Sequence, residues 1–256
     1  MPDVDRYQER PVPAAARGLL TCVWSRHAAA GPARTLRIVP DACVDIIWHR
    51  ESGRLFVAGP DTTVHVSASQ PGELVGIRFL TGRSPAGLGL PADALRDARV
   101  DLAQLWPDRT ARLAEELEAT SSVARAQAVL GSAMLAGVRA DPDPAVPELL
   151  RLARGGARVR EMAAAVGLTE RQLHRRCLAA FGYGAKVLQR VLRFDHALRL
   201  ARGAAPDAGL AEVAYRAGYA DQAHLSREVR TLAGVSPTQL LESGRKSRRQ
   251  EAEVTR

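Results

Sequence analysis

The 256-residue chain has no run of 18 or more apolar residues, so no membrane-spanning helix is expected. Its cysteines are three, Cys22, Cys43 and Cys177, too few and too far apart for a disulfide framework. Reduced thiols in a cytoplasmic protein are the expectation. The first ten residues, MPDVDRYQER, lack the basic start and apolar stretch of a secretory signal. Signs of catalysis are also missing. His27, His49 and His65 stand alone, with no His-x-His pair, and no Ser or Cys sits in a nucleophile turn. No metal or other cofactor and no enzymatic activity are expected.

Lysine is nearly absent, with 2 against 34 arginines, yet the net charge is +8. Its distribution is uneven. Residues 1–146 carry 16 basic and 17 acidic side chains, a balance of −1, and residues 147–256 carry 20 and 11, a balance of +9. A polyanion is the natural partner of the second part, and nucleic acid is the usual one.

Periodicity divides the chain at the same place. Leu19–Trp24, Leu36–Val39, Val44–Trp48, Leu55–Ala58, Val64–Val66 and Leu74–Phe79 read as short strands, predicting an antiparallel sandwich or small barrel. Thr81–Pro91 reads as a loop, and Asp93 as the N-cap of a short helix. Arg109–Ala119 and Ser122–Val138 follow with helical periodicity. Val123, Leu130, Met134 and Val138 form an apolar face on the second, which either packs on its own barrel or pairs two subunits into a homodimer. Asp141–Pro147 (DPDPAVP) holds three prolines, each lacking an N–H and restricting its predecessor. The expected division is therefore 1–140 as a regulatory domain, 141–147 as linker, 148–242 as a helical domain and 243–256 as a charged, disordered tail. Few contacts are expected to cross such a linker. The fold class is α+β.

The helical part contains a repeat. Arg160-Glu161-Met162-Ala163-Ala164-Ala165-Val166-Gly167-Leu168 returns as Ala211-Glu212-Val213-Ala214-Tyr215-Arg216-Ala217-Gly218-Tyr219. Ala163 and Ala214 are small enough for two helices to cross closely, and Gly167 and Gly218 suit the turn that follows. Thr169 and Asp221 are N-caps for the next helices, which Leu173 and Leu225 anchor to the core. Two such units in tandem predict a double helix-turn-helix.

These residues resemble the AraC/XylS-type regulators over roughly Pro147–Leu241, and Gly234-Val235-Ser236-Pro237 looks like that family's closing G-x-S-P. The first unit departs from it, with Gly182-Tyr183-Gly184-Ala185 at the equivalent place. The resemblance implies double-stranded DNA as partner, read by Arg171, Gln172, His174 and Arg175 of the first recognition helix. Gln222, His224, Ser226 and Arg227 belong to the second, where Ala223 also faces the groove. Arginine can pair with guanine and glutamine with adenine in the major groove. Arg176, Lys186, Arg190, Arg216 and Arg230 are implied phosphate contacts.

Family members commonly carry an N-terminal cupin-like β-barrel as sensor. A small-molecule effector is accordingly expected near Trp24, Asp45, Trp48 and Arg78, with RNA polymerase as a partner if the protein is an activator. Acidic neighbours disfavour a reactive Cys43 thiolate, which predicts a buried structural cysteine. Two other classes are alternatives: a cupin-type enzyme fused to a DNA-binding tail, and a repair fusion with a cysteine methyl acceptor. The first lacks its ligand pair, and the second lacks clustered cysteines.

Overall fold

The computed structural model of the chain describes residues 6–29, 34–69, 71–138, 140–203 and 209–242. The strands are β1 (Arg6–Pro11), β2 (Leu20–Ala28), β3 (Arg34–Ile38), β4 (Asp45–His49), β5 (Arg54–Ala58), β6 (His65–Ser69), β7 (Gly72–Phe79) and β8 (Arg99–Asp101). Helices α1 (Ser84–Leu88), α2 (Leu102–Leu105), α3 (Pro107–Glu118) and α4 (Val123–Leu135) complete the N-terminal part. The C-terminal part consists of α5 (Val146–Arg154), α6 (Val159–Ala165), α7 (Glu170–Phe181), α8 (Ala185–Gly203), α9 (Leu210–Arg216) and α10 (Gln222–Ala233). Among the described residues no helix is long and apolar enough to cross a membrane.

Six strands form one antiparallel sheet in the order β1-β2-β7-β4-β5-β8, and β3 and β6 pair as a separate ribbon. Of the sandwich and the small barrel expected, the arrangement fits the sandwich. Among the described residues the sheet stays open, and the ribbon lies against it in the manner of a sandwich. Its edges explain why: β1 is polar and ends on Pro11, which has no N–H for a further neighbour, and β8 has only three residues. These two strands also escaped the sequence reading, because neither shows an apolar alternation.

Alternation sorts the sheet into two faces. Val23, Ile46, Trp48, Leu55, Val57, Val75, Ile77 and Phe79 point to one side and join Leu113, Leu117, Ala126, Leu130 and Met134 of α3 and α4 in the largest core. The opposite face carries Cys22, Trp24 and Ile47. The apolar face of α4 is thus covered by its own sheet. Leu130 and Met134 each keep 1% exposure against the sheet, whereas Val138 is exposed. Within the expected loop Thr81–Pro91, Pro85 opens the short helix α1 and Gly89 closes it. Asp93 does not cap a helix; it lies inside a 3-10 turn, Ala92–Leu95, that begins after Pro91.

The C-terminal part has two cores, one per helix-turn-helix unit. Leu149, Met162, Leu173, Cys177, Phe181 and Leu188 lead the first, and Phe194, Leu198, Val213, Leu225 and Val229 the second. The 19-residue α8 enters both, so it joins the units rigidly. α5 starts at Val146, so the end of the proline-rich segment is already helical. The expectation that few contacts cross this segment is overturned. Ala42 of the N-terminal part is buried in the first unit's core, and Val39 packs against the second. Arg96 donates to the Gly182 carbonyl at 3.3 Å, and a methyl group on Gly182 would sit 2.4 Å from Pro60. Residues 243–256, the expected tail, lie outside the described residues.

Candidate nucleic-acid interface

Both units are assembled as their repeat requires. Gly167 and Gly218 adopt φ of 66° and 78°, a left-handed turn that would strain a side chain. Met162, Ala163, Val213 and Ala214 are buried where the two helices of each unit cross. Recognition helix α7 opens on a reciprocal cap: the Gln172 N–H donates to Thr169 Oγ1 at 3.3 Å, and the Thr169 N–H donates to Gln172 Oε1 at 2.9 Å. In α10, Asp221 Oδ1 accepts from the His224 N–H at 2.6 Å. Leu173, Cys177, Leu225 and Val229 face inward.

The outward faces are therefore fixed. Arg171, Gln172, His174 and Arg175 are exposed on α7; on α10, Gln222, Ala223 and Arg227 are exposed, and His224 and Ser226 are half-buried. Counting from the anchoring leucines, Arg175 and Arg227 occupy equivalent positions. Gln172 is less free than its exposure suggests. Its Oε1 also accepts from Thr169 Oγ1, which leaves the amide Nε2 as the group to meet a base. His224 packs edge-on against Tyr219, ring centroids 5.2 Å apart.

The arginines expected at phosphates divide into two sets. Arg230 and Lys186 are exposed. Arg176, Arg190 and Arg216 are each paired with a carboxylate within the chain. Arg176 clasps Asp143 through Nε and Nη2 at 2.6 and 2.7 Å. Burial works to raise the Asp143 pKa, but the Arg176 pair holds it below its ordinary value. Arg190 of α8 donates to Glu228 of α10 at 2.8 Å, and Arg193 reaches the same oxygen at 4.0 Å while stacking over Tyr219. Arg216 lies 3.6 Å from Glu212. Arg176 and Glu228 are again equivalent positions, opposite in charge, and each ties its recognition helix to the body of the protein. Sequence reasoning missed Asp143, Glu228 and Arg193. A helix-borne Glu aligned with an Arg was the available signal for one of them.

In the N-terminal part, Trp24, Asp45 and Arg78 are brought to one face of the sheet, with Arg78 Nε and Nη2 donating to Asp45 at 3.0 and 2.9 Å. Trp48 is not among them. Neighbouring strand positions alternate, and its indole points through the opposite face into the main core at 1% exposure. Burial, and then the Asp41 carboxylate, push the Cys43 thiol well above its ordinary pKa, which disfavours the thiolate. Among the described residues no three His, Cys, Asp or Glu side chains converge to hold a metal ion.

Residues 162–243 match the family model described as a helix-turn-helix domain. The C-terminal part is a helix-turn-helix domain of the AraC type. This AraC-type domain is the DNA-binding element of a transcription regulator. Residues 10–101 match a second model, a domain of unknown function (DUF6597). A comparison with curated proteins yields no match. Among solved structures, the chain resembles an apo variant of ToxT from Vibrio cholerae strain SCE256 at 10% identity and a TM-score of 0.48, covering 86% of this chain and 96% of that one. ToxT from Vibrio cholerae O395 aligns at 11% identity and a TM-score of 0.45, over 82% of this chain and 96% of its own.

Proposed function

We propose that the protein is a sequence-specific transcription factor that reads two neighbouring major-groove segments with α7 and α10. One observation carries the reading: two equivalent helices present Arg175 and Arg227 to solvent from matched positions, on units that α8 holds in fixed relation. Such helices enter grooves about 34 Å apart. Arg171, His174, Gln222, His224 and Ser226 complete the base-reading faces, and Gln172 contributes one donor. Lys186 and Arg230 hold phosphates. Arg176, Arg190 and Arg216 are assigned to positioning before phosphate contact, because each already has a carboxylate partner.

Control comes from the N-terminal domain. Its loop 39–44 reaches both DNA-binding cores through Val39 and Ala42, so a small molecule beside Trp24, Asp45 and Arg78 would act on both units. An activator of this kind acts on RNA polymerase. Fluorescence anisotropy with duplex DNA over a range of salt tests the DNA reading. A fall of log K with log salt at a slope near −0.9 per phosphate contacted is expected. No salt-dependent binding at 50 mM salt would refute it.

A further inference from the structure

Among the described residues, two besides glycines adopt a positive φ, Ala42 at 62° and Asp97 at 56°. Both lie where the N-terminal part meets the DNA-binding part. Such backbone costs free energy and persists only where its surroundings hold it, often at sites that serve function. Asp97 is firmly held. Its N–H donates to the Pro60 carbonyl at 3.1 Å, and its carboxylate accepts from the Thr62 N–H at 2.6 Å and the Thr62 hydroxyl at 2.8 Å. Beside it, Arg99 donates to Asp61 through Nη1 and Nη2 at 2.8 and 2.6 Å, with Asp61 only 7% exposed. A buried ion pair resists rearrangement, because either charge alone would be left poorly solvated. The Gly59 N–H donates to the Ala98 carbonyl at 3.0 Å, and no methyl group fits on Gly59 beside the Leu95 carbonyl. Residues 59–62 and 95–99 therefore form one rigid block.

This block touches the end of recognition helix α7. Gly182, the left-handed C-cap of α7 at φ 84°, faces Pro60 so closely that a methyl group on it would run into the proline ring. Arg96 donates to the Gly182 carbonyl at 3.3 Å. Gly234 is the equivalent cap of α10, at φ 69°. A methyl group there would lie 3.4 Å from Val64 Cγ1 and 3.7 Å from Arg37 Nη1. One stretch, residues 60–64, thus reaches the C-caps of both recognition helices. Loop 39–44 repeats the pattern, with Ala42 buried in the first unit's core and Val39 packed against the second.

We infer that the N-terminal part is a clamp that sets the two recognition helices relative to each other. Pro60 and Arg96 form its jaw on α7, and Val64 and Arg37 its jaw on α10. These are positioning residues, which act on DNA only through the helices they hold. A helix as long as α8 can curve gently, whereas a second support from outside resists that bending. The inference rests on the reading of α7 and α10 as base-reading helices, and it assigns the spacing of their two DNA elements to the N-terminal part.

Duplexes carrying the two selected elements at the native separation, one base pair closer and one base pair farther test the clamp on the full chain. The wild type should prefer the native separation by about tenfold. Pro60→Ala and Arg96→Ala should each keep sequence-specific binding but reduce that preference, on the order of threefold. Arg96 is exposed, so its variant keeps the test valid should Pro60→Ala fail to fold. A double-mutant cycle in urea checks the contact itself. Gly182→Ala should destabilise less in the Pro60→Ala background, whereas Gly234→Ala, with similar left-handed strain, should cost the same in both. Equal wild-type affinity at all three separations, an unchanged preference in the folded variants, or no coupling between Pro60 and Gly182 would overturn the clamp alone. A wild type without sequence-specific binding would refute the DNA reading and the clamp together.

Discussion

Arg175 and Arg227 each project from the second turn of a recognition helix, one residue before the side chain that ties that helix down. Alanine at either should cost about 1–3 kcal/mol in specific binding and relax preference at one base pair. Competition between a selected site and random duplex checks this; equal loss on both would place the residue on phosphates. Arg190 separates the two roles in the opposite direction. Its partner Glu228 keeps only 12% side-chain exposure, so Arg190→Ala leaves a half-desolvated carboxylate with a distant Arg193. The expected cost is on the order of 1 kcal/mol, reduced by solvent screening at the exposed guanidinium. Thermal unfolding should record that loss while the salt slope of DNA binding stays unchanged. A slope flatter by about one unit would mark it as a phosphate contact after all.

At the scale of elements, α4 shows how a sequence pattern can be legible yet ambiguous. The spacing of Val123, Leu130 and Met134 defines an apolar face, but not the surface that covers it. The sheet answers, with Leu130 at 1% exposure in the main core. Leu130→Ala should lower stability by about 2–5 kcal/mol, read as a lower urea midpoint, and Leu130→Asp should unfold the N-terminal part. A folded Leu130→Asp protein with an altered oligomeric state would contradict this packing. The helix-turn-helix units were legible almost residue by residue, since close crossing, turn and cap each demand a particular side chain at a fixed spacing. β1 and β8 were not, because edge strands need no apolar alternation. Ion pairs such as Asp143–Arg176 join residues 33 apart in sequence, and no local pattern announces them.

The molecule as a whole is less divided than its proline-rich segment suggested, because loop 39–44 docks onto both DNA-binding cores. Asp41 in that loop gives the junction a pH signature. Its folded pKa of about 6, raised by burial, exceeds its ordinary value of 3.8, so the folded state binds the proton more tightly. Stability from this group is therefore present below pH 4 and is lost as pH rises toward 6. Asp41→Asn should flatten that part of the stability curve measured by urea unfolding, and an unchanged curve would place the titration elsewhere. The central claim is that two matched helices read two segments of one DNA duplex. Selection from a random duplex library, run with the wild-type chain, Arg175→Ala and Arg227→Ala, tests it most directly. Two enriched elements about 10 base pairs apart are predicted, each variant flattening a different one. No enrichment, or both variants flattening the same element, would contradict it.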